Sequence, residues 1–230
     1  MTFFKGHWQL IALTALVFAL WNTPIVVPLK ILVVFLHELA HGLAAILTDG
    51  SIESISLSPR QGGVAYTRGG SRFLILTAGY LGSLLLGVGL LWAALRTRAD
   101  TLIMAGCGIV MLLVTVLYIR ELFPLAFCIA TGAAMLASAR YLSEEINDLA
   151  LRVIGLTSII YVPYDIFSDT ISRSFLQSDA RMLAEEFGGT TMLWGGLWLI
   201  ISLIVIGLCI RALARAPDSN ISFRSRVLRR

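Results

Sequence analysis

The sequence contains little charge, and little cysteine, proline or histidine. Only 14% of its 230 residues are charged and 57% are hydrophobic, whereas about a quarter of the residues of a typical soluble domain are charged. The three cysteines lie within apolar segments at no spacing typical of metal ligands, which argues against disulfides and against a cysteine zinc site. With a mean hydropathy of +0.85, the chain is expected to be an integral membrane protein.

Long apolar runs predict about seven membrane-spanning helices. Their approximate limits are 8–27, 29–47, 73–95, 102–119, 122–139, 149–166 and 192–213. Several runs are near the lower length limit for a span, so six spans with one re-entrant element is an alternative. We therefore expect one all-α polytopic membrane domain over residues 1–216, with the first run retained as a span because it is too long for a signal-peptide core.

The remaining residues, 217–230, form a tail rich in arginine. A basic tail also occurs in proteins that bind nucleic acid, but beside a transmembrane helix it indicates a cytoplasmic end that faces anionic lipid. We expect the lipid bilayer as a partner, no nucleic acid, a bacterial cytoplasmic membrane and a cytoplasmic C-terminus. Over seven spans this orientation leaves Arg60, Arg68 and Arg72 outside, against the positive-inside rule.

A more polar stretch follows the second apolar run. In residues 51–67, serines alternate with apolar residues, a turn follows at 59–63, and an apolar segment resumes at Val64. This pattern predicts a β-hairpin, and an ordinary exterior loop is the alternative. A hairpin at this position leaves a strand edge that can bind an extended peptide through its main chain.

Two of the three histidines lie in the second apolar run, in the segment HELAH at 37–41. Residues four apart share one face of a helix, so His37 and His41 can reach one metal ion while Glu38 serves as general base toward a water molecule. Unpaired imidazole and carboxylate groups are costly in hydrocarbon, which favours a zinc hydrolase site. The alternative is a structural cluster in which Glu38 is the counter-ion of the two histidines.

A catalytic zinc ion usually has three protein ligands and an open position. The third histidine, His7, lies directly before the first run, where an interfacial histidine needs no metal. A carboxylate within an apolar segment is therefore expected as the third ligand. Asp165 and Asp169, in the segment 149–170, fit this description and share one helix face. We expect Asp165 to be the ligand, because Pro163 can open the helix beside it. Asp169 is the alternative ligand, or it supports the site or pairs with Arg173. Either carboxylate can also be a helix cap or an interfacial charge.

Four sequence blocks carry a likeness to a known family. They are HELAHGLAAILTDGSIESISLSP, RGGSRFLILTAGYLGS, YDIFSDTI and SDARMLAEEFGGTTMLWGGLW. With these blocks the chain resembles the site-2-protease-type intramembrane zinc metallopeptidases, and more closely their compact M50B-like branch. The resemblance implies one zinc ion per chain on His37, His41 and Asp165, with Glu38 as the catalytic base. It also implies hydrolysis of peptide bonds in transmembrane protein or peptide substrates, as in regulated intramembrane proteolysis.

The chain departs from the family pattern at two points. Site-2 proteases carry a late Leu-Asp-Gly motif, but here Asp165 precedes Ile166, and there is no PDZ-like insertion. A second hypothesis is therefore a non-proteolytic membrane scaffold or chaperone that retains a metal site. A zinc transporter is less favoured, because the histidines and carboxylates gather at one site instead of along several spans.

Overall fold

The computed structural model of the protein describes residues 3–173 and 177–222. Within these ranges the elements are α1 (Phe3–Leu20), α2 (Val27–Leu47), β1 (Ser51–Leu57), β2 (Gly63–Arg68), α3 (Arg72–Arg96), α4 (Asp100–Tyr118), α5 (Leu122–Tyr141), α6 (Glu144–Phe167), α7 (Asp179–Phe187) and α8 (Thr191–Ala214). A π-helical turn, Ser168–Ser172, continues α6. In the described part of the chain, α1 to α6 and α8 are long and apolar enough to cross a membrane.

The predicted fold class is confirmed: a helical membrane protein with a hairpin after its second helix. The seven predicted runs correspond to these seven helices. The first helix begins and ends earlier than expected, at Phe3 and Leu20, and residues 21–26 connect it to α2. Pro28 occupies the first turn of α2, where a helix has no use for its missing N–H group. Helix α7 was not predicted. The tail contains four arginines that lie outside the described residues: Arg224, Arg226, Arg229 and Arg230.

Helix α3 packs closely between α2 and α6 because glycines line its contacts. A Cβ atom at Gly82 would lie 2.6 Å from the Ala40 side chain on α2, and one at Gly87 would lie 2.5 Å from Ser158 on α6. The Ser158 hydroxyl on α6 donates a hydrogen bond to the Ser83 backbone carbonyl on α3 at 2.9 Å, which joins the two helices. The small residues of α3 thus hold α2 and α6 on either side of it.

The hairpin lies against α2 at the end of the bundle. Its strands are antiparallel, with Ile55 opposite Ala65, and Ile55 and Leu57 are buried in the same apolar cluster as α2. The Ser56 hydroxyl donates a hydrogen bond to the Glu121 carboxylate at 2.8 Å, between α4 and α5. These contacts hold the hairpin in place, and β2 lies beside the helix that carries the HELAH segment.

Candidate metal centre

Helix α2 brings both histidines and the glutamate of HELAH together. The His37 and His41 rings lie edge to face with their centroids 4.7 Å apart. His41 and Glu38 are 6% and 4% exposed. The helical spacing predicted this grouping, since residues three and four apart lie on one face.

A carboxylate from α7 meets the two histidines. Oδ2 of Asp179 lies 3.0 Å from Nε2 of His37 and 3.2 Å from Nε2 of His41. In the described ranges these three residues form a group whose candidate ligand atoms all lie within 4.8 Å of one another. Burial raises the pKa of Asp179, but the two histidines at its oxygen outweigh burial and hold the pKa below its ordinary value.

Helix α7 begins at Asp179 itself. The Ser178 side chain caps it by accepting a hydrogen bond from the Arg181 backbone N–H at 3.3 Å. This cap turns the chain into the helix so that Asp179 points at α2. Asp179 is 7% exposed, so the short helix α7 covers the centre on this side.

A hydrogen bond to Ile75 determines which ring nitrogen of His41 carries the hydrogen. The other ring nitrogen faces the centre. Nδ1 of His41 lies 2.6 Å from the Ile75 carbonyl oxygen, and a carbonyl can only accept, so Nδ1 carries the hydrogen. In the neutral ring, Nε2 then presents a lone pair toward the Asp179 oxygen. Two acceptors 3.2 Å apart need a cation or a proton between them. This donor set suits a zinc ion, whose ligand atoms in tetrahedral geometry lie roughly 3.3 Å apart.

Gly79 of α3 leaves room at the same place. A Cβ atom there would lie 2.5 Å from Nε2 of both His37 and His41. Carbon and nitrogen atoms not bonded to each other normally stay about 3.5 Å apart. The missing side chain therefore keeps the two candidate ligand atoms free.

We expect the Gly79→Ala variant to retain less than about a third of the zinc bound by the wild type, because the methyl group occupies the space of the ligand atoms. Gly89→Ala on the same helix is the matched control, since a Cβ atom at Gly89 meets nothing within 4 Å. Zinc per chain is measured by elemental analysis of the purified proteins. Wild-type zinc content in Gly79→Ala would contradict this view of the centre.

Glu38 contacts the hairpin. The Ala65 backbone N–H donates a hydrogen bond to the Glu38 carboxylate. A Cβ atom at Gly63 would lie 2.5 Å from Oε1 of Glu38, so the strand passes directly over the carboxylate. Because the Ala65 N–H points away from β1, the edge of β2 that β1 leaves open is the edge beside Glu38.

The centre lies in a cavity of about 480 Å³. Its wall includes α2, β2, the start of α3, the end of α6 and α7, and Tyr161 of α6 contacts the hairpin turn, with its hydroxyl 3.5 Å from the Gln61 carbonyl. Asp165 and Asp169 line the same cavity. All the residues predicted for the site therefore share one cavity, which also holds Asp179.

The two aspartates of α6 and its π-helical turn have different surroundings. Asp169 accepts a hydrogen bond from the Tyr80 hydroxyl at 2.6 Å and pairs with Arg173 at 2.7 Å. The Tyr80 ring stands edge-on to His37, with centroids 4.7 Å apart, so Asp169 holds Tyr80 against this histidine. Asp165 faces the cavity without joining the group of close ligand atoms formed by the described residues. A zinc ligand at Asp165 stays a prediction.

Asp179 was not predicted as a ligand, because the third ligand was expected within an apolar segment. Asp179 lies in the polar stretch SDARMLAEEF, outside every predicted span. Two signals were available: this stretch belongs to a block that carries the family likeness, and Ser178-Asp179 is a typical helix start.

Comparison with known proteins identifies the family of the chain. The family model described as Peptidase M50B-like matches residues 10–209, which include both histidines, Glu38 and all three aspartates of the cavity. No curated protein and no solved structure gives a significant match. Since the match extends over most of the sequence, the chain belongs to the Peptidase M50B-like family.

Proposed function

We propose that the protein is an intramembrane zinc metallopeptidase that hydrolyses peptide bonds of membrane-protein substrates. The observation that carries this proposal is the grouping of half-buried His37 with buried His41 and Asp179. The buried Glu38 follows His37 directly on α2. Family membership supports peptidase activity, and seven apolar helices support a location in the bilayer.

We assign one zinc ion per chain to His37, His41 and Asp179. The three candidate ligand atoms are close enough to share one ion, the hydrogen bond to Ile75 leaves His41 Nε2 free to bind it, and Gly79 leaves space for it. Asp165 is the alternative third ligand, because it faces the same cavity. Zinc bound there would act as a Lewis acid that activates a water molecule and polarises the scissile carbonyl group.

Glu38 is the proposed general base. Its carboxylate accepts the proton of the attacking water and passes it to the leaving amine of the cleaved peptide bond. The Ala65 N–H holds the carboxylate toward the centre, and the hairpin keeps bulk solvent away from it. His37 and His41 stay in place meanwhile through Tyr80 and the Ile75 carbonyl.

The open edge of β2 is the proposed binding place for the substrate backbone. A peptide bond within a transmembrane helix is hydrogen-bonded and shielded, so the substrate has to unwind before cleavage. An unwound segment can pair with β2 through main-chain hydrogen bonds, as an added strand. Because this edge runs beside Glu38, such pairing brings the peptide bond to the catalytic carboxylate.

The bilayer and a transmembrane protein or peptide substrate are the proposed partners. The proposed location is the bacterial cytoplasmic membrane, with the C-terminus in the cytoplasm. This assignment follows from the arginine-rich tail, since basic residues beside a last span are retained on the cytoplasmic side.

We expect removal of zinc to abolish cleavage and its restoration to recover it. Purified protein, either zinc-loaded or treated with a chelator, is incubated with membranes, and new N-termini within apolar segments are identified by mass spectrometry. The chelated protein should also unfold at a lower temperature, because a ligand present at about 1,000 times its Kd stabilises the native state by about 4 kcal/mol.

Two outcomes would contradict the proposal. If the zinc-loaded protein generates no new N-termini beyond those of the chelated sample, while its unfolding temperature still responds to zinc, the metal-binding scaffold is favoured. If neither cleavage nor unfolding responds to zinc, the HELAH segment is a structural polar cluster.

A further inference from the structure

The turn of the hairpin is held in one shape beside the cavity. The Ser58 backbone N–H donates a hydrogen bond to the Gly62 carbonyl at 2.7 Å, and the Gln61 N–H donates one to the Ser58 carbonyl at 3.1 Å. The Ser58 hydroxyl accepts a hydrogen bond from the Arg60 N–H at 3.1 Å. Because the Gln61 carbonyl also meets the Tyr161 hydroxyl of α6, these contacts keep Arg60 at the wall of the cavity.

Arg60 carries a positive charge without a counter-ion among the described residues. Three described arginines line the cavity: Arg60, Arg72 and Arg173. The second and third belong to ion pairs of 2.9 and 2.7 Å, whereas Arg60 is exposed and forms no ion pair within the described ranges. A guanidinium group binds a carboxylate through two parallel N–H bonds, so a carboxylate from another molecule fits this position.

The carboxylates of the cavity have partners other than this arginine. Asp179 lies against the two histidines, and Asp169 is part of an ion pair. Glu38 accepts a hydrogen bond from the hairpin backbone. Asp165 interacts electrostatically with the buried Lys30 of α2. The guanidinium group of the hairpin turn is therefore left to a ligand that enters the cavity.

Arg60 lies at one end of the open edge of β2. The strand begins at Gly63, just after the turn that carries Arg60, and Gly63 lies beside the Glu38 carboxylate. Arg68 ends the strand on the other side and is neutralised by an ion pair of 2.6 Å. Because a strand rises about 3.3 Å per residue, a peptide paired with this edge passes from Glu38 to Arg60 within about four residues.

We propose that Arg60 selects substrates by binding an acidic side chain that lies within about four residues of the cleaved bond. This inference rests on the proposed function, because it assigns the substrate class of the same site. The preferred substrates are membrane proteins with an aspartate or glutamate in the segment that unwinds onto β2. The ion pair fixes the register of that segment, so that one peptide bond faces Glu38.

The N-termini produced in membranes test this preference. Termini count as products when the zinc-loaded wild type yields them and Glu38→Gln does not. Acidic residues should be enriched within four residues of these termini, and Arg60→Gln should lower the cleavage of such sites about five-fold, the upper limit for an ion pair in contact with water. Arg68→Gln, the same change at the other end of β2, is the matched control and should leave cleavage unchanged. Zinc per chain shows that the centre is intact in each variant.

An exchange of charges tests the pairing directly. In a substrate identified by these termini, replacing the acidic residue with lysine should lower cleavage by the wild type about five-fold, because the ion pair is lost. Arg60→Glu should restore cleavage of this lysine substrate and lower cleavage of the original one. A merely structural role of Arg60 would lower both.

Products without acidic enrichment, or equal losses in Arg60→Gln and Arg68→Gln, would overturn the inference and leave the peptidase intact. If no product depends on Glu38, the proposed function fails instead. The preference is then decided by the binding of two apolar peptides, acetylated and amidated at their ends, that differ only in one central aspartate or asparagine. Tighter binding of the aspartate peptide that Arg60→Gln removes supports the carboxylate site, and equal binding of the two peptides, or none, overturns it.

Discussion

We expect the Asp179→Asn variant to bind zinc at least about 100-fold more weakly than the wild type and to lose it during purification. Removing an outer partner of a metal ligand already lowers affinity by about 10- to 100-fold, and a direct ligand contributes more. The neutral amide keeps the shape of the carboxylate but gives up the negative charge that faces both histidine nitrogens. Elemental analysis of zinc per chain in detergent-purified protein measures the effect.

The matched control is Asp165→Asn, a change of the same kind in the same cavity. Asp165 was the ligand expected from the sequence, so the pair of variants decides between the two carboxylates. Zinc lost from Asp179→Asn and kept by Asp165→Asn supports the ligand set proposed from the geometry. The reverse result would return the third ligand to Asp165, and zinc kept by both variants would leave the two histidines with another partner.

The second large effect is expected for Glu38→Gln, which should lower the rate of cleavage by about 10³-fold or more while zinc stays bound. General-base catalysis contributes about 10²- to 10⁴-fold, and an amide cannot take up the proton of the attacking water. The substitution preserves the size of the side chain and its hydrogen-bond acceptor toward the Ala65 N–H. Zinc content therefore separates the loss of catalysis from the loss of the centre.

The substrate need not be known for this measurement. Membranes from cells that produce the wild type or Glu38→Gln are compared by mass spectrometry of protein N-termini. Termini that lie within apolar segments and occur only with the wild type identify substrates. If the variant yields the same termini at the same rate, Glu38 is not the base; if neither protein yields any, the non-proteolytic scaffold is favoured.

Much of the site could be predicted because it lies within one helix. His37, Glu38 and His41 are neighbours in sequence, and a helix places residues four apart on one face whatever packs around it. The hairpin was predictable for a similar reason, since alternation of polar and apolar residues is a local pattern. Its contact with Glu38 through Ala65 is not local, because it depends on how the hairpin lies against α2.

Asp179 could not be predicted from the apolar runs. It lies 142 residues after His37 in a polar stretch, and its approach to the histidines depends on α7 closing over the cavity. Hydropathy identifies the residues that have to be buried in the membrane, but a polar residue outside the apolar runs can be buried by a short covering helix as well. The expected ligand and Asp179 therefore share a cavity although only one of them lies in an apolar run.

By itself the sequence determined the membrane class, the seven apolar helices, the hairpin and the pair of histidines with its glutamate, because hydropathy and helical or strand periodicity are properties of neighbouring residues. Only the tertiary structure decided that Asp179 meets the histidines, that Gly79 leaves the space between them open and that the two ends of the described chain meet away from the cavity. Each of these depends on contacts between residues far apart in sequence, which local patterns do not encode.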